Sequence, residues 1–555
     1  MATALSADIV IVGSGVAGAL IAHQLAAAGA SVLILEAGPE VPRWRIVENY
    51  RNNPAKDDNS VPYPPSRFAP HPEYKAYAGL PPPHPGPNPA QQPAPFQDDN
   101  GHLILKGPDA HAYAQQYIRW VGGTTWHWAA ATWRFLPNDF RLRSLYGVGR
   151  DWPLGYDTLE PYYQRAEVEL GCSGPATDLG SPRAQPYPMQ PLALSYNDRR
   201  FAEVLNAGGF SVVAEPVGRN STAYDGRPPC CGNNNCMPIC PIGAMYNGIV
   251  HVEKARQAGA RLIAGAVVYR VEADARGRIA AVHYKDGNAV SHRVTGRSFV
   301  LAANGIETPR LLLFSADSRH PRGMANSSDQ VGRNMMDHPG TGVTFLAGEP
   351  LWPGRGPMEM TSVVNLRDGP FRSRYAGKKL HLNNQVQTRK ATLKALSMGL
   401  TGARLDWEIR HRSAHTVNIN SFHEILPDPE NRLVLSPDRK DALGIPLPQI
   451  TYRVGDYVRQ SAIHTHAAYA RIARLLGGRE ITFDDHFSPN NHIMGGVIMG
   501  EDPRNSVVDG TCRSHDHANL FLATSGVMPS AGTVNCTLTL AALSLRLADL
   551  LRASA

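Results

Sequence analysis

The sequence lacks a membrane-crossing segment. Its apolar stretches near residues 8–35 and 537–551 are interrupted by Gly15, His23 and Gln24, and by Arg546 and Asp549. Neither gives the run of about 18 apolar residues that a spanning helix requires. The opening Met-Ala-Thr-Ala-Leu-Ser-Ala-Asp carries no basic n-region, which predicts no cleavable signal peptide and, taken alone, a cytoplasmic protein. Basic clusters are missing as well. Lys and Arg number 55 against 48 acids, a balance of +7, but the two signs are interspersed, which argues against nucleic acid as a partner. No internal repeat is present, so a solenoid or propeller is excluded. Cysteine is scarce, seven in 555 residues, and Cys230, Cys231, Cys236 and Cys240 stand together within residues 230–240. A disulfide framework would spread its cysteines, so this run reads as a metal or cluster site. Cys172, Cys512 and Cys536 are expected to be packed thiols.

The chain is long enough to bury a large core and to divide into two lobes. Residues 8–36 read as a strand, a tight glycine turn, a helix and a second strand. In Gly13-Ser-Gly15-Val-Ala-Gly18 the first glycine permits the turn and the second lets a pyrophosphate approach the backbone. The third lets helix and strand pack closely, and the helix N-terminus faces the phosphates. Glu36, at the end of the second strand, stands where an acid bonds ribose hydroxyls. The pattern predicts a bound dinucleotide without separating FAD from NAD.

Residues 261–300 read as strands of a small sheet leading into the buried run Phe299-Val-Leu-Ala-Ala. The last fifty or so residues return to strand and then helix, which predicts one lobe built from both chain ends. Residues 79–96 hold eight prolines and two glycines and read as an exposed polyproline-like excursion.

In the run Pro229-Cys230-Cys231-Gly-Asn-Asn-Asn-Cys236-Met-Pro-Ile-Cys240-Pro241 the cysteines do not make the two separated pairs usual in a zinc site. A tight cysteine run ending in Cys-Pro is an iron–sulfur feature. Adjacent Cys230 and Cys231 point apart, so Cys230, Cys236 and Cys240 are the expected ligands of a [3Fe–4S] cluster. Cys231 is left as a packed thiol or a disulfide partner for another chain, and a structural zinc knuckle is the alternative.

Four segments carry a family resemblance. Val121-Gly-Gly-Thr-Thr-Trp-His-Trp, Phe299-Val-Leu-Ala-Ala-Asn-Gly-Ile-Glu-Thr-Pro, Val331-Gly-Arg-Asn-Met-Met-Asp-His-Pro and Gly532-Thr-Val-Asn535 resemble, in order, signatures of the glucose–methanol–choline oxidoreductases. The resemblance implies an α/β fold: a Rossmann-like FAD lobe from both chain ends, and an α+β substrate lobe with an antiparallel sheet. The expected FAD lobe is 1–45, 100–155, 225–340 and 500–555, with the cysteine run at 229–241. The substrate lobe is 156–224 and 341–499, and 46–99 is an excursion.

Beside Gly13, Gly15, Gly18 and Glu36, the resemblance implies FAD contacts at Gly122, Gly123, Thr124, Thr125, His127, Val268, Gly305 and Thr533. It makes His492, in Asn490-Asn491-His492-Ile-Met-Gly-Gly, the general base and Asn535 its hydrogen-bond partner, since an amide takes no proton. Asn535 also precedes a helix whose N-terminus is expected to face the flavin. Asn491 and His423 are expected to line the substrate pocket.

The cysteine run narrows the resemblance to catalytic subunits of bacterial membrane-associated sugar dehydrogenases, above all FAD-dependent glucose dehydrogenases. That implies hydride transfer from the anomeric C1 of glucose to flavin N5, giving the lactone. Electrons then pass through the cluster to a multihaem cytochrome c subunit. A small signal-bearing subunit, with Cys231 as a disulfide partner, would carry the chain to the periplasmic side of the inner membrane. Fructose, sorbitol or gluconate would serve the same mechanism, and a non-enzymatic assembly subunit with a zinc knuckle is the reading from another class.

Overall fold

The computed structural model describes residues 5–53, 62–63, 96–99, 102–177 and 179–553; the proline-rich stretch through residue 95 lies outside them. The strand Leu5–Val12 pairs in parallel with Val32–Glu36 on one side and with Ser291–Leu301 on the other. A parallel strand with both neighbours in place and both faces covered reads as a continuous apolar run, and Ile9-Val-Ile-Val12 is buried throughout. The crossover helix Val16–Ala27 is apolar nearly all round. It is packed between Ile249–Gln257 and the C-terminal helix Thr537–Ala553.

The full sheet has seven strands. In order they are Arg261–Ala264, Val32–Glu36, Leu5–Val12, Ser291–Leu301, Ile279–Lys285 and Val267–Ala273, with Leu520–Leu522 beside Ser291–Leu301. The strands at 261–300 are therefore not a separate small sheet. Ser291–Leu301 is 11 residues long, enough for two partners along one edge. Its first half pairs antiparallel with Ile279–Lys285, and its last residues pair parallel with Leu520–Leu522. Both chain ends thus meet on one strand.

A six-stranded antiparallel sheet forms the second layer: Arg479–Phe483, Gly342–Leu346, Thr416–His423, Lys378–Leu382, Thr361–Val363 and Val212–Ala214. Alternation along its strands divides the side chains between two faces. Leu380, Leu382, Val417 and Ile419 join a core with Tyr469 and Ile472 of the helix Asp456–Leu475. Lys379, His381, Asn420 and Phe422 fall on the opposite face. A third sheet of four strands, Arg432–Lys440, Pro446–Thr451, Ile104–Gly107 and Phe96–Asp99, joins segments far apart in sequence.

Within the Phe299–Pro309 signature, Pro309 sits inside the helix Asn304–Phe314. Its opening is made by Asn304, whose Oδ1 accepts hydrogen bonds from the backbone N–H of Ile306 and Glu307. Among the described residues no helix is long and apolar enough to cross a membrane.

The tightest contact of the first crossover is at Gly18, where an added Cβ would stand 2.1 Å from the Gly13 carbonyl oxygen and 3.2 Å from Ile11 Cγ2. Gly18→Ala is expected to destabilise the protein by about 1–3 kcal/mol, the usual range for overpacking. Urea unfolding checks this, and an unchanged midpoint would show that helix and strand part without cost.

Candidate active site

The nucleotide cradle is made of backbone. Gly13 has φ +101°, and a Cβ there would lie 2.6 Å from the Ala302 carbonyl oxygen. Gly123, at φ +64°, passes so close to Gly15 that its Cβ would stand 2.7 Å from the Gly15 Cα. Beside them Glu36 is buried and accepts hydrogen bonds from Ser14 N (2.8 Å), Ser14 Oγ (2.6 Å) and Gly38 N (2.9 Å). Burial pushes its carboxyl above the usual range, against these three donors. A cavity of about 140 Å³ opens here, lined by Gly13, Gly15, Glu36, Arg119, Val268 and Thr124 among others. Arg119 is buried with its Nη1 unpartnered. A cradle that any Cβ would fill, an acid for ribose and an unpaired guanidinium nitrogen fit a dinucleotide.

Gly15 and Thr124 also line a second cavity of about 420 Å³, together with Thr125, His127, His492 and Asn535. Four expected cofactor residues line neither cavity. Gly18 packs helix on strand, as above. Gly122 makes a turn at φ +96°, tight against Trp126 Nε1 and Ile249. Gly305 brings its helix against Ile493, whose Cγ2 would lie 2.9 Å from an added Cβ. Thr533 is buried and accepts a hydrogen bond from Arg367 Nε at 3.2 Å. At that end Cys536, Thr537 and Leu540 line the cavity instead, so the first turn of the C-terminal helix faces it.

The expected catalytic pair is joined: His492 Nε2 and Asn535 Nδ2 are 3.0 Å apart. The remaining contacts assign the protons. His338 Nε2 is 3.0 Å from the Gly532 carbonyl oxygen, which can only accept, so His338 carries its proton on Nε2. Its Nδ1 is then an acceptor for His492 Nδ1–H, 2.9 Å away. His492 is left with an unprotonated Nε2 in the cavity, the state a general base needs. From the other side Lys379 Nζ donates to Asn535 Oδ1 at 3.3 Å and to Glu215 Oε1 at 3.0 Å. Because an ammonium only donates, the amide must turn Nδ2 toward His492. Burial pushes His492 well below the ordinary histidine value, and the neighbouring His338, Lys379 and His381 add to this. Burial likewise lowers His338 to about 4.

Asp337 was not read from the sequence, although it sits in the Met-Asp-His-Pro motif. It is fully buried. Its Oδ2 accepts from Gln115 Nε2, Asn490 N and Asn491 N, and its Oδ1 from His338 N and His492 N. Asp337, His338 and His492 bring ligand-type atoms within 4.8 Å of one another. Each carboxylate oxygen and ring nitrogen of that group is already spent within the hydrogen-bond chain.

Asn491 lines the 420 Å³ cavity as expected, at φ +59°, with its Oδ1 accepting from Gln116 N at 2.8 Å. His423 does not. It falls on the helix-facing side of its strand, where its ring nitrogens meet Ser421 Oγ and Ser461 Oγ, each at 3.0 Å. Its neighbour Phe422 lines the cavity in its place. A one-residue change along a strand reverses the face.

Known proteins settle the family. The pattern of the GMC (glucose–methanol–choline) oxidoreductases matches residues 150–340 and 427–544, and that of the FAD dependent oxidoreductases matches residues 8–44. The chain is 54% identical to the fructose dehydrogenase large subunit of Gluconobacter japonicus, over 98% of this chain and 97% of that one. This chain belongs to the GMC oxidoreductase family. It is 22% identical to the gluconate 2-dehydrogenase flavoprotein of Pantoea cypripedii over 97% and 92% of the two chains. A crystal structure of formate oxidase shares the fold, with a TM-score of 0.64 at 14% identity over 99% of each chain. The dinucleotide of this GMC oxidoreductase is FAD.

The cysteine run of this GMC chain packs beside the larger cavity. Cys236 is buried with Ala130, Met245 and Met358, and Met237 and Cys240 pack against them. Met237 and Ala130 line the cavity that holds His492. Cys230 lies in a neighbouring apolar cluster with Val217 and Met360, and Cys231 is exposed. Among the described residues, no cysteine belongs to a group of three ligand atoms all within 4.8 Å of one another. Thiolates around one zinc ion, each about 2.3 Å from it, would be closer than that.

The buried neutral state of His338 links it to pH. Its folded pKa of about 4 lies below the free value of 6.5, so the unfolded chain takes up the proton first as pH falls. The stability His338 contributes is full above 6.5 and lost as pH falls toward about 4. The Tm penalty of His338→Gln is therefore expected to be largest near neutral pH and to shrink on acidification. A penalty independent of pH would contradict the buried neutral state of His338.

Proposed function

We propose that this GMC oxidoreductase is the catalytic chain of a sugar dehydrogenase acting on fructose. The observation that carries the chemistry is the chain from Gly532 O through His338 and His492 to Asn535, which leaves His492 Nε2 unprotonated at the 420 Å³ cavity, its lone pair accepting only from the Asn535 amide, which a substrate hydroxyl can displace. The 54% identity with a fructose dehydrogenase large subunit moves the substrate from the anomeric hydroxyl of glucose to fructose. FAD, when bound, supplies the hydride acceptor, flavin N5. His492 Nε2 takes the hydroxyl proton of the carbon being oxidised. Asn535 Nδ2, held by Lys379, donates to the same oxygen, and Asp337 keeps the 490–492 loop in register. An intact base with its tautomer assigned favours an enzyme over an assembly subunit.

The outlying parts belong to the same reading. The FAD lobe contains both chain ends and the substrate lobe the antiparallel sheet. Cys230, Cys236 and Cys240 hold a [3Fe–4S] cluster, which when bound supplies one-electron steps between flavin and a multihaem cytochrome c subunit. The packing of Cys236 and Cys240 beside Ala130 and the place of Met237 on the cavity wall support it. Exposed Cys231 is free for a disulfide to a small export subunit, and the complex works at the periplasmic side of the inner membrane.

His492→Ala is expected to keep FAD and to slow flavin bleaching by fructose about 10²–10⁴-fold; a rate close to wild type removes the base assignment. In wild type, fructose is expected to bleach the flavin faster than glucose, sorbitol or gluconate, and a faster reaction with glucose restores the anomeric reading. Purified holoprotein is expected to contain iron and acid-labile sulfide and to give a low-temperature EPR signal of the oxidised cluster. Cys236→Ser should lose that signal while keeping its FAD and its bleaching by sugar. Zinc without iron in the wild-type protein would replace the cluster with a structural knuckle.

A further inference from the structure

The larger cavity has a wall that the proton chemistry does not use. Glu359 lies on a bend between Met358 and Met360, both buried. Its neighbours are pinned: Arg219 Nη1 donates to the Met358 carbonyl at 3.1 Å, and Glu215 N donates to the Met360 carbonyl at 2.9 Å. Between these fixed points Glu359 adopts φ +47°, a left-handed conformation that costs a residue other than glycine about 1–2 kcal/mol or more. The result is a carboxyl on the cavity wall, with a side chain only 13% exposed.

That carboxyl has no close partner. Its nearest cationic-type atom is His381 Nε2 at 3.9 Å, beyond hydrogen-bond reach. His381 is itself 3% exposed, and its Nδ1 has no partner. Two residues on, Asn383 Oδ1 is also buried without one. All three residues line the cavity that holds His492 and Asn535. Burial, followed by the nearby Glu215 carboxylate, raises Glu359 to about 7; burial lowers His381 to about 3. The wall therefore offers a neutral imidazole, with one donor and one acceptor, beside a carboxyl and an amide oxygen.

Unpaired buried polar atoms are individually expensive, and two of them, His381 Nδ1 and Asn383 Oδ1, beside a carboxyl without a hydrogen-bond partner held at a strained backbone position, mark a site completed by its occupant. Hydroxyl groups both donate and accept, so a polyol satisfies all three at once. An apolar alcohol would leave them unpaired. We propose that Glu359, His381 and Asn383 form the subsite that grips the sugar hydroxyls other than the one being oxidised. This rests on the sugar dehydrogenase reading above and assigns the residues that make it selective for a sugar.

The test is stopped-flow flavin bleaching of the holoprotein by fructose and by its monodeoxy analogues, giving an apparent Kd and a limiting rate for each. In wild type, at least one monodeoxyfructose is expected to bind about 10-fold or more weakly than fructose. Glu359→Leu should weaken fructose by a similar factor, leave the limiting rate within about 3-fold and no longer distinguish that analogue from fructose. Its Tm should be equal to or above wild type, because an unpaired buried carboxyl is removed. His381→Gln carries the same test if Glu359→Leu does not retain FAD. An unchanged Kd, a loss confined to the limiting rate, or discrimination that persists in the variants overturns the subsite. Absence of bleaching by fructose in wild type instead removes the functional reading, and the subsite with it.

Discussion

Asp337 is buried without exposure, and its two oxygens take hydrogen bonds from Gln115, from His338 and from the consecutive backbone N–H groups of Asn490, Asn491 and His492. A carboxylate there is costly to desolvate, and burial raises its pKa in spite of those donors. The same donors would be costly to leave unpaired, so carboxylate and loop hold each other in place. What they position is the ring of His492. Its Nδ1 must meet His338, its Nε2 must meet Asn535, and both require the loop to leave Asp337 in one direction. The left-handed backbone of Asn491 at φ +59° makes that turn. Asn490 Nδ2 closes it by donating to the His338 carbonyl at 2.5 Å.

The electrostatics then follow from the proposed base, His492, being hard to protonate. A histidine whose pKa lies well below its ordinary value holds no proton at rest, which suits a group that accepts one only as hydride leaves carbon. The cause is burial first, then a second histidine and the Lys379 ammonium nearby. Lys379 is itself paired with buried Glu215 and sits over Phe422 and Trp133, 4.8 and 5.2 Å from their ring centres. Its charge is thus kept close to Asn535 without being exposed. A fixed positive group beside a neutral base favours negative charge building up on the substrate oxygen, and it does not consume the lone pair that takes the proton.

These features were unequally legible in the sequence. The glycine turn and Glu36 were legible because local geometry demands those residue types, whereas His492 and Asn535 were expected from short stretches that carry the family resemblance, and the structure sets them 3.0 Å apart. Gly305 and Thr533 also lie in such stretches, yet they turned out to be packing positions, against Ile493 and Arg367. A motif carries a backbone shape more faithfully than it says which atoms face the ligand. His423 failed for a different reason: strand alternation decides its side, and nothing in Phe-His-Glu says which parity faces the helix Asp456–Leu475. The pairing of Pro446–Thr451 with Ile104–Gly107, the Lys379–Glu215 pair and the Asp337 contacts join residues far apart in sequence. They leave no periodicity to read. Glu359 left no signal either, since an acid between two methionines resembles any surface turn until both neighbours are seen pinned.

The cavity wall also explains why the cysteine run stands where it does in the chain. Residues 230–240 follow directly on the stretch that reaches the antiparallel sheet at Val212–Ala214. They are tied back by Cys230 N to the Asn220 carbonyl, by Asn234 Nδ2 to the carbonyls of Gly356 and Asn384, and by Arg43 to the Cys240 carbonyl. The loop therefore touches both layers, the one that carries the nucleotide turn and the one that carries Glu359 and His381. Met237 enters the cavity from it, and Cys236 packs behind Ala130 on the same wall. Had the run been inserted in one of the surface loops of the seven-stranded sheet, its thiols would have been as close in sequence and far from that cavity. The Asn234 and Arg43 ties hold a loop with no strand or helix of its own against both layers.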